Sequence, residues 1–145
     1  MDREELKNLL REILQEEAHC PIQKVSVGKI RVTQEDRLDT GDPSHIVYTH
    51  DLFSLQQSPR LGCGIMEMEK TTFPWNLQYD EIDYVIEGTL SIVYEDHTVT
   101  AGPGELILIP KGSQIQFSVP DKARFLYVTY PADWQAPNCK LSVSN

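Results

Sequence analysis

The sequence predicts an all-β fold, a double-stranded β-helix (jelly roll), with one short N-terminal amphipathic helix. Three observations carry that expectation. About nine short segments of alternating apolar and polar residues follow one another with no helical pattern between them, which favours antiparallel β over βαβ units. Turn-forming residues separate them at close intervals. The single 3.6-residue periodicity is confined to Asp2 through Glu17.

In that first segment Leu6, Leu9, Leu10, Ile13 and Leu14 form an apolar stripe, while Asp2, Glu4 and Glu5 suit the positive end of a helix dipole. Pro21 ends the pattern. A helix this short is marginal alone in water, so residues 1–20 are expected to dock on something, and 21–145 to form the barrel. Lys24 to Val32 reads as a strand and Arg37 to Ser44 as a loop. Ile46 to Leu52 is extended, and Arg60 to Lys70 is a strand whose alternating Gly62 and Gly64 suggest a closely approached or bulged backbone. Within it Met66 and Met68 are expected to face the core, leaving Glu67 and Glu69 outside. Further strands are expected at Ile82–Ile86, Thr89–Tyr94, His97–Ala101, Glu105–Ile109, Ile115–Val119 and Ala123–Tyr130. Glu95-Asp96 reads as a hairpin turn and Gly102-Pro103-Gly104 as a sharp corner.

Composition bounds the function. A chain of 145 residues supports one domain with a real core. A net charge of −9 argues against nucleic acid and against an anionic membrane surface. No apolar run approaches the ~18 residues of a membrane span, and the charged N-terminus does not read as a secretory signal. The cysteines Cys20, Cys63 and Cys139 are odd in number and lack C-x-x-C spacing, as expected of free thiols in a reducing cytoplasm.

Two blocks share their spacing with the metal-binding motifs of cupins, H-x-H-x(3)-E-x(6)-G and G-x(5)-P-x-G-x(2)-H. Glu81, Gly88, Gly104, Pro110 and Gly112 fall in register, but the histidine positions hold Trp75, Leu77 and Ile115. The resemblance implies a cupin barrel, and a default homodimer. One glutamate among Trp, Leu and Ile cannot hold a transition metal, which needs three or four N, O or S ligands. No tightly bound metal is therefore expected, and His19, His45, His50 and His97 lie away from the motif.

Side chains alternate along a strand, so Trp75, Leu77, Glu81, Asp83 and Val85 should face inward, opposite Ile115 and Phe117. Glu81 and Asp83 would then share one face of one strand, and at least one pKa should be raised. Such a pair suits a general base with a modulating neighbour, or oxygen ligands for a Mg²⁺ that arrives with substrate phosphates. It also suits a structural role, bonded to tyrosine hydroxyls or a basic group. Tyr79 stands ready as a hydroxyl donor or as a rim aromatic, and Trp75 as packing. Lys111 and Ser113 flank the Gly112 turn, where a cation and a hydroxyl could meet an anion, although such a lysine is more often merely exposed. No phosphate-binding glycine motif is present.

Finer residues narrow the resemblance. Phe73-Pro74-Trp75, Tyr79-Asp80-Glu81-Ile82-Asp83-Tyr84-Val85-Ile86-Glu87-Gly88-Thr89-Leu90, Ile109-Pro110-Lys111-Gly112-Ser113 and Ala123-Arg124-Phe125-Leu126-Tyr127-Val128-Thr129-Tyr130-Pro131 resemble the EutQ family of ethanolamine-utilisation proteins, cupins without the metal histidines. The resemblance implies placement in a bacterial microcompartment of the cytoplasm. It also implies an acetate kinase activity, interconverting acetyl phosphate and acetate with ATP or ADP and Mg²⁺. Under that reading Glu81 and Asp83 would serve Mg²⁺ or phosphate geometry and Lys111 would neutralise transferring charge, with Tyr79, Trp75 and Ser113 toward substrate. The alternative is a non-catalytic barrel that binds a small carboxylate or helps assemble the shell. The helix stripe Leu6, Leu9, Leu10, Ile13 and Leu14 fits docking on shell or cargo proteins, and equally on the protein's own barrel or dimer mate.

Overall fold

The computed structural model describes residues 2–135, leaving aside the side chains of 15–19. Cys139 and the side chain of His19 fall outside that set. The chain divides into two compact units at Ile30/Arg31.

In the first unit, helix α1 spans Arg3–His19. Its start is fixed by a reciprocal pair of bonds: the Glu5 N–H donates to Asp2 Oδ1 at 2.8 Å and the Asp2 N–H to Glu5 Oε2 at 3.1 Å, a capping box built on an aspartate. The stripe Leu6, Leu9, Leu10, Ile13 and Leu14 is exposed. The strand expected at Lys24–Val32 is absent. Val27–Lys29 is instead a 3₁₀ turn, closed by the bonds Lys29 N–H to Ser26 C=O and Ile30 N–H to Val27 C=O. Gly28 weakens a strand here, and local bonds satisfy the backbone that a ladder would have served.

The second unit is the predicted β fold, with seven strands among its described residues, all antiparallel. They are β1 Ile46–Asp51, β2 Gly62–Asn76, β3 Asp80–Gly88, β4 Leu90–Tyr94, β5 His97–Ala101, β6 Leu106–Ile109 and β7 Gln114–Tyr130. There are fewer strands than the nine expected because Lys24–Val32 forms none and because the strands expected at Ile115–Val119 and Ala123–Tyr130 are one continuous strand, β7. The early half of β2 and the late half of β7 lie in the order β1-β2-β7-β3-β6. The late half of β2 pairs the early half of β7, which continues through β4 to β5. The register of β2 on β7 shifts between Glu69 and Thr71, beside Lys70 at φ 44°; such a bulge bends the strand and sharpens its twist. The strands expected at Ile115–Val119 and Ala123–Tyr130 are joined through Pro120 and Asp121.

The two inner faces share one core. Met66, Met68, Val85, Ile107, Ile109, Phe125 and Tyr127 from one meet Phe73, Leu90, Ile92, Ile115, Phe117 and Val119 from the other. Phe117 links them, stacked on Phe73 at 5.3 Å and on Phe125 at 6.3 Å between ring centroids. The methionines face in, as expected, and Glu67 instead pairs with Arg124. Gly88 of the first motif block has φ 78°, and a Cβ there would sit 1.9 Å from the Lys122 carbonyl oxygen, so only glycine fits.

Candidate functional site

Strand β3 places the acidic pair. Glu81 and Asp83 leave it on the same, inward face; Glu81 is 5% exposed and Asp83 0%. Across the ladder to β7, Glu81 lies opposite Thr129 and Asp83 opposite Tyr127; on the β6 side their partners are Ile109 and Ile107. The pair is thus walled by apolar side chains. Neither Asp83 oxygen has a hydrogen-bond donor, and the Thr129 hydroxyl, 1% exposed, also lacks a partner.

That environment raises both carboxyls above their usual range. For Glu81 the cause is burial, partly offset by a hydrogen bond with Asp83. For Asp83, shifted well upward, burial comes first, then the Glu81 charge and the hydrogen bond with it. A carboxylate only accepts hydrogen bonds, so two ionised neighbours cannot satisfy one another. Protonating Asp83 turns it into a donor toward Glu81, and the pair holds a shared proton.

The pair lies beneath an aromatic wall. The cavity is lined by Glu81 with Phe73, Trp75, Tyr79, Phe117, Tyr127 and Trp134, together with Leu38, Thr49 and Met66. It is tight: the centre of a water molecule has about 10 Å³ to move in, enough for one water. The Trp75 indole N–H donates to the Tyr79 hydroxyl at 2.6 Å. The Tyr127 hydroxyl donates to Asp51 Oδ1 at 2.6 Å. Burial first, then nearby carboxylates, push both phenols far above their ordinary pKa.

Tyr127 reaches Asp51 by crossing Gly64, whose added Cβ would stand 2.2 Å from its ring; a Cβ on Gly62 would meet Thr129 Oγ1 at 2.2 Å. The alternating glycines are therefore close-approach positions for the two side chains opposite the acidic pair. Trp134, 8% exposed, closes the wall with its ring 6.0 Å from Trp75, 6.1 Å from Tyr79 and 5.7 Å from Tyr127. It follows the last strand, where no periodicity marks it; a lone tryptophan after Pro131 was the only available sign.

Of the residues singled out from sequence, the fold brings Trp75, Tyr79 and Glu81 to the cavity, with Asp83 beside Glu81. It does not bring Lys111 or Ser113 there. Lys111 is exposed on the turn after β6, its backbone N–H donating to Asp80 Oδ1, and the Ser113 hydroxyl donates to the Pro110 carbonyl. The turn chemistry that made the glycine loop conspicuous is spent on the loop itself. The histidines are apart: His45 bonds Thr40, His50 bonds Asp36, and exposed His97 lies by Asp96. Among the described residues no three His, Cys, Asp or Glu side chains gather where they could hold a metal ion.

The family described as ethanolamine utilisation protein EutQ matches residues 1–136. The chain belongs to the EutQ family. It is 63% identical over 117 residues to a Clostridioides difficile protein named acetate kinase EutQ, covering 81% of this chain and 74% of that one. A Salmonella typhimurium protein of the same name is 44% identical over 100 residues, covering 69% of this chain but only 43% of its own length. The solved Clostridium difficile EutQ structure superposes with a TM-score of 0.77 at 64% identity, covering 79% of this chain and 83% of that one. A cupin-2 domain protein from Shewanella frigidimarina, 22% identical, matches with a TM-score of 0.50 over 57% of this chain and 78% of its own, which confirms the cupin fold. Among the described residues of this EutQ protein no helix is long and apolar enough to cross a membrane.

Proposed function

We propose that this chain serves ethanolamine utilisation as an acetate kinase, interconverting acetyl phosphate and acetate with ATP or ADP and Mg²⁺. The single observation that carries the proposal is the 63% identity to a relative named for that activity. Glu81 and Asp83 are its candidate site, because they are the buried polar groups of the barrel whose charge has no internal partner.

The cavity sets terms for that chemistry. Mg²⁺ keeps several waters in near-octahedral geometry, and space for one water beside two carboxyls does not fit it. Among the described residues no Lys or Arg lines the cavity to meet phosphate. Magnesium and nucleotide therefore do not fit this tight cavity. Phosphoryl transfer at Glu81 thus requires the cavity to widen. What the chain's own residues do is hold a proton between Glu81 and Asp83 and exclude water behind the aromatic wall.

A coupled assay of ATP formation from acetyl phosphate and ADP tests this. The wild-type protein forms ATP, and Glu81→Gln and Asp83→Asn each lower the rate about tenfold or more, the scale of a lost site interaction. Wild-type rates in both variants would remove the acidic pair from the site. A wild-type protein without activity would leave the second reading, a non-catalytic binding barrel, which a tight cavity without Lys or Arg among its described lining residues favours.

The setting is proposed on the same footing. The exposed apolar face of α1 supports docking on a microcompartment shell or cargo protein in the cytoplasm. Ile82 and Tyr84 of β3 and Leu106 and Leu108 of the edge strand β6 are exposed side by side, which supports a homodimer across that sheet face.

A further inference from the structure

We infer that the barrel cavity is a binding site for the head of a small protonated amine, held between the Glu81 carboxylate and the faces of Trp75, Tyr79, Tyr127 and Trp134. Three observations carry it, and none depends on the kinase reading.

First, the charge is one-sided. Glu81 lines the cavity and Asp83 lies beside Glu81, while among the described residues no lysine, arginine or histidine lines the same space. A buried carboxylate without a counter-charge is costly, and a monovalent cation supplies what the fold leaves out.

Second, the walls are π faces. Six of the ten lining residues are aromatic, and an ammonium near such rings is attracted by their quadrupoles, most strongly where water is excluded. An anion meets the opposite sign from the same rings and from Glu81.

Third, two donors of the lining are already spent, the Tyr127 proton on Asp51 and the Trp75 N–H on Tyr79, while Glu81 brings an acceptor. A primary ammonium brings three donors and no acceptor. It also matches the single-water space in size.

The approach is suited to a cation as well. Leu38, Thr49 and Trp75 line both the cavity and an outer groove that carries Glu35, Asp36 and Asp39. The groove's Arg37 is committed to the carbonyls of Pro43 and His45 and lies over the Tyr48 ring. The head would enter the cavity past Trp75, with the rest of the molecule toward the groove.

Titration of the full chain with ethylammonium and ethanolamine chlorides, followed by tryptophan fluorescence and calorimetry, tests the inference, with sodium acetate at matched ionic strength for comparison. The amines should bind saturably and acetate should not. Glu81→Gln should weaken amine binding about tenfold or more while circular dichroism is unchanged. Trp134→Leu, which keeps the carboxylate and removes one ring, should weaken it several-fold and serves if the first variant fails to fold. No saturable amine signal up to about 100 mM, tighter binding of acetate than of amine, or undiminished binding in a folded variant would overturn the inference. ATP formation is a separate measurement, so loss of the kinase reading leaves this one standing.

Discussion

Glu81 and Asp83 leave β3 on one face, and Asp83, wholly buried, finds no donor for either carboxyl oxygen. Burial and the Glu81 charge both drive Asp83 toward its protonated form. The folded protein therefore holds a proton that the unfolded chain, with carboxyls titrating near 4, releases. With folded pKa values raised, the native state binds more protons between the unfolded and folded values. The pair's contribution is fully present below about pH 4 and is lost as pH rises through the folded pKa. Asp83→Asn removes that penalty. Chemical denaturation at neutral pH should find the variant more stable than wild type by about 1–3 kcal/mol, with the difference shrinking toward pH 4.

Gly64 is required by Tyr127 rather than by its own backbone angles. Gly64→Ala places a methyl within the Tyr127 ring and 2.7 Å from the His50 carbonyl oxygen. Overpacking of this kind should lower stability by about 1–3 kcal/mol and break the Tyr127–Asp51 bond. Urea titration measures the first effect. Pairing the substitution with Tyr127→Phe tests the second, because two changes that act on one contact are not additive.

Much of this architecture is legible in the sequence. The motif spacing fixes a cupin barrel with Leu77, Ile115 and Phe117 inside, and strand alternation from Glu81 puts Asp83 and Val85 inside too. Local pattern failed where tertiary context decided. Lys24–Val32 has strand composition but becomes a 3₁₀ turn. Ile115–Val119 and Ala123–Tyr130 read as two strands, but β7 runs through Pro120 and Asp121. Trp134 sits outside any periodic segment, so its place over Trp75 and Tyr127 depends on how the chain returns after the last strand. Lys111 and Ser113 stand on the glycine turn away from the cavity, the Ser113 hydroxyl bonded to Pro110 and the Lys111 side chain exposed.

Trp134 packs against Trp75, Tyr79 and Tyr127 in the cavity wall. Trp134→Ala should cost about 3–5 kcal/mol if the cavity stays empty and less if neighbouring rings collapse into it. Acrylamide quenching of the remaining Trp75 reports the opening, and the variant should show markedly greater access than wild type.

The exposed row of Ile82, Tyr84, Leu106 and Leu108 yields a prediction about assembly. Leu108→Lys on the edge strand β6 should shift a dimer toward monomer in light scattering at micromolar concentration without unfolding the barrel, since edge lysines discourage pairing. An unchanged dimer would place the interface elsewhere.

The barrel keeps an acidic pair, Glu81 and Asp83, whose carboxyls burial raises above their ordinary range. Carbon-13 NMR titration of the side-chain carboxyls tests it most directly, with Asp83→Asn assigning the signals. The account predicts that the Asp83 carboxyl stays protonated well above the pH where exposed carboxyls ionise, and that the Glu81 signal responds to the same titration. Two independent carboxyls, both ionising near pH 4, would contradict it.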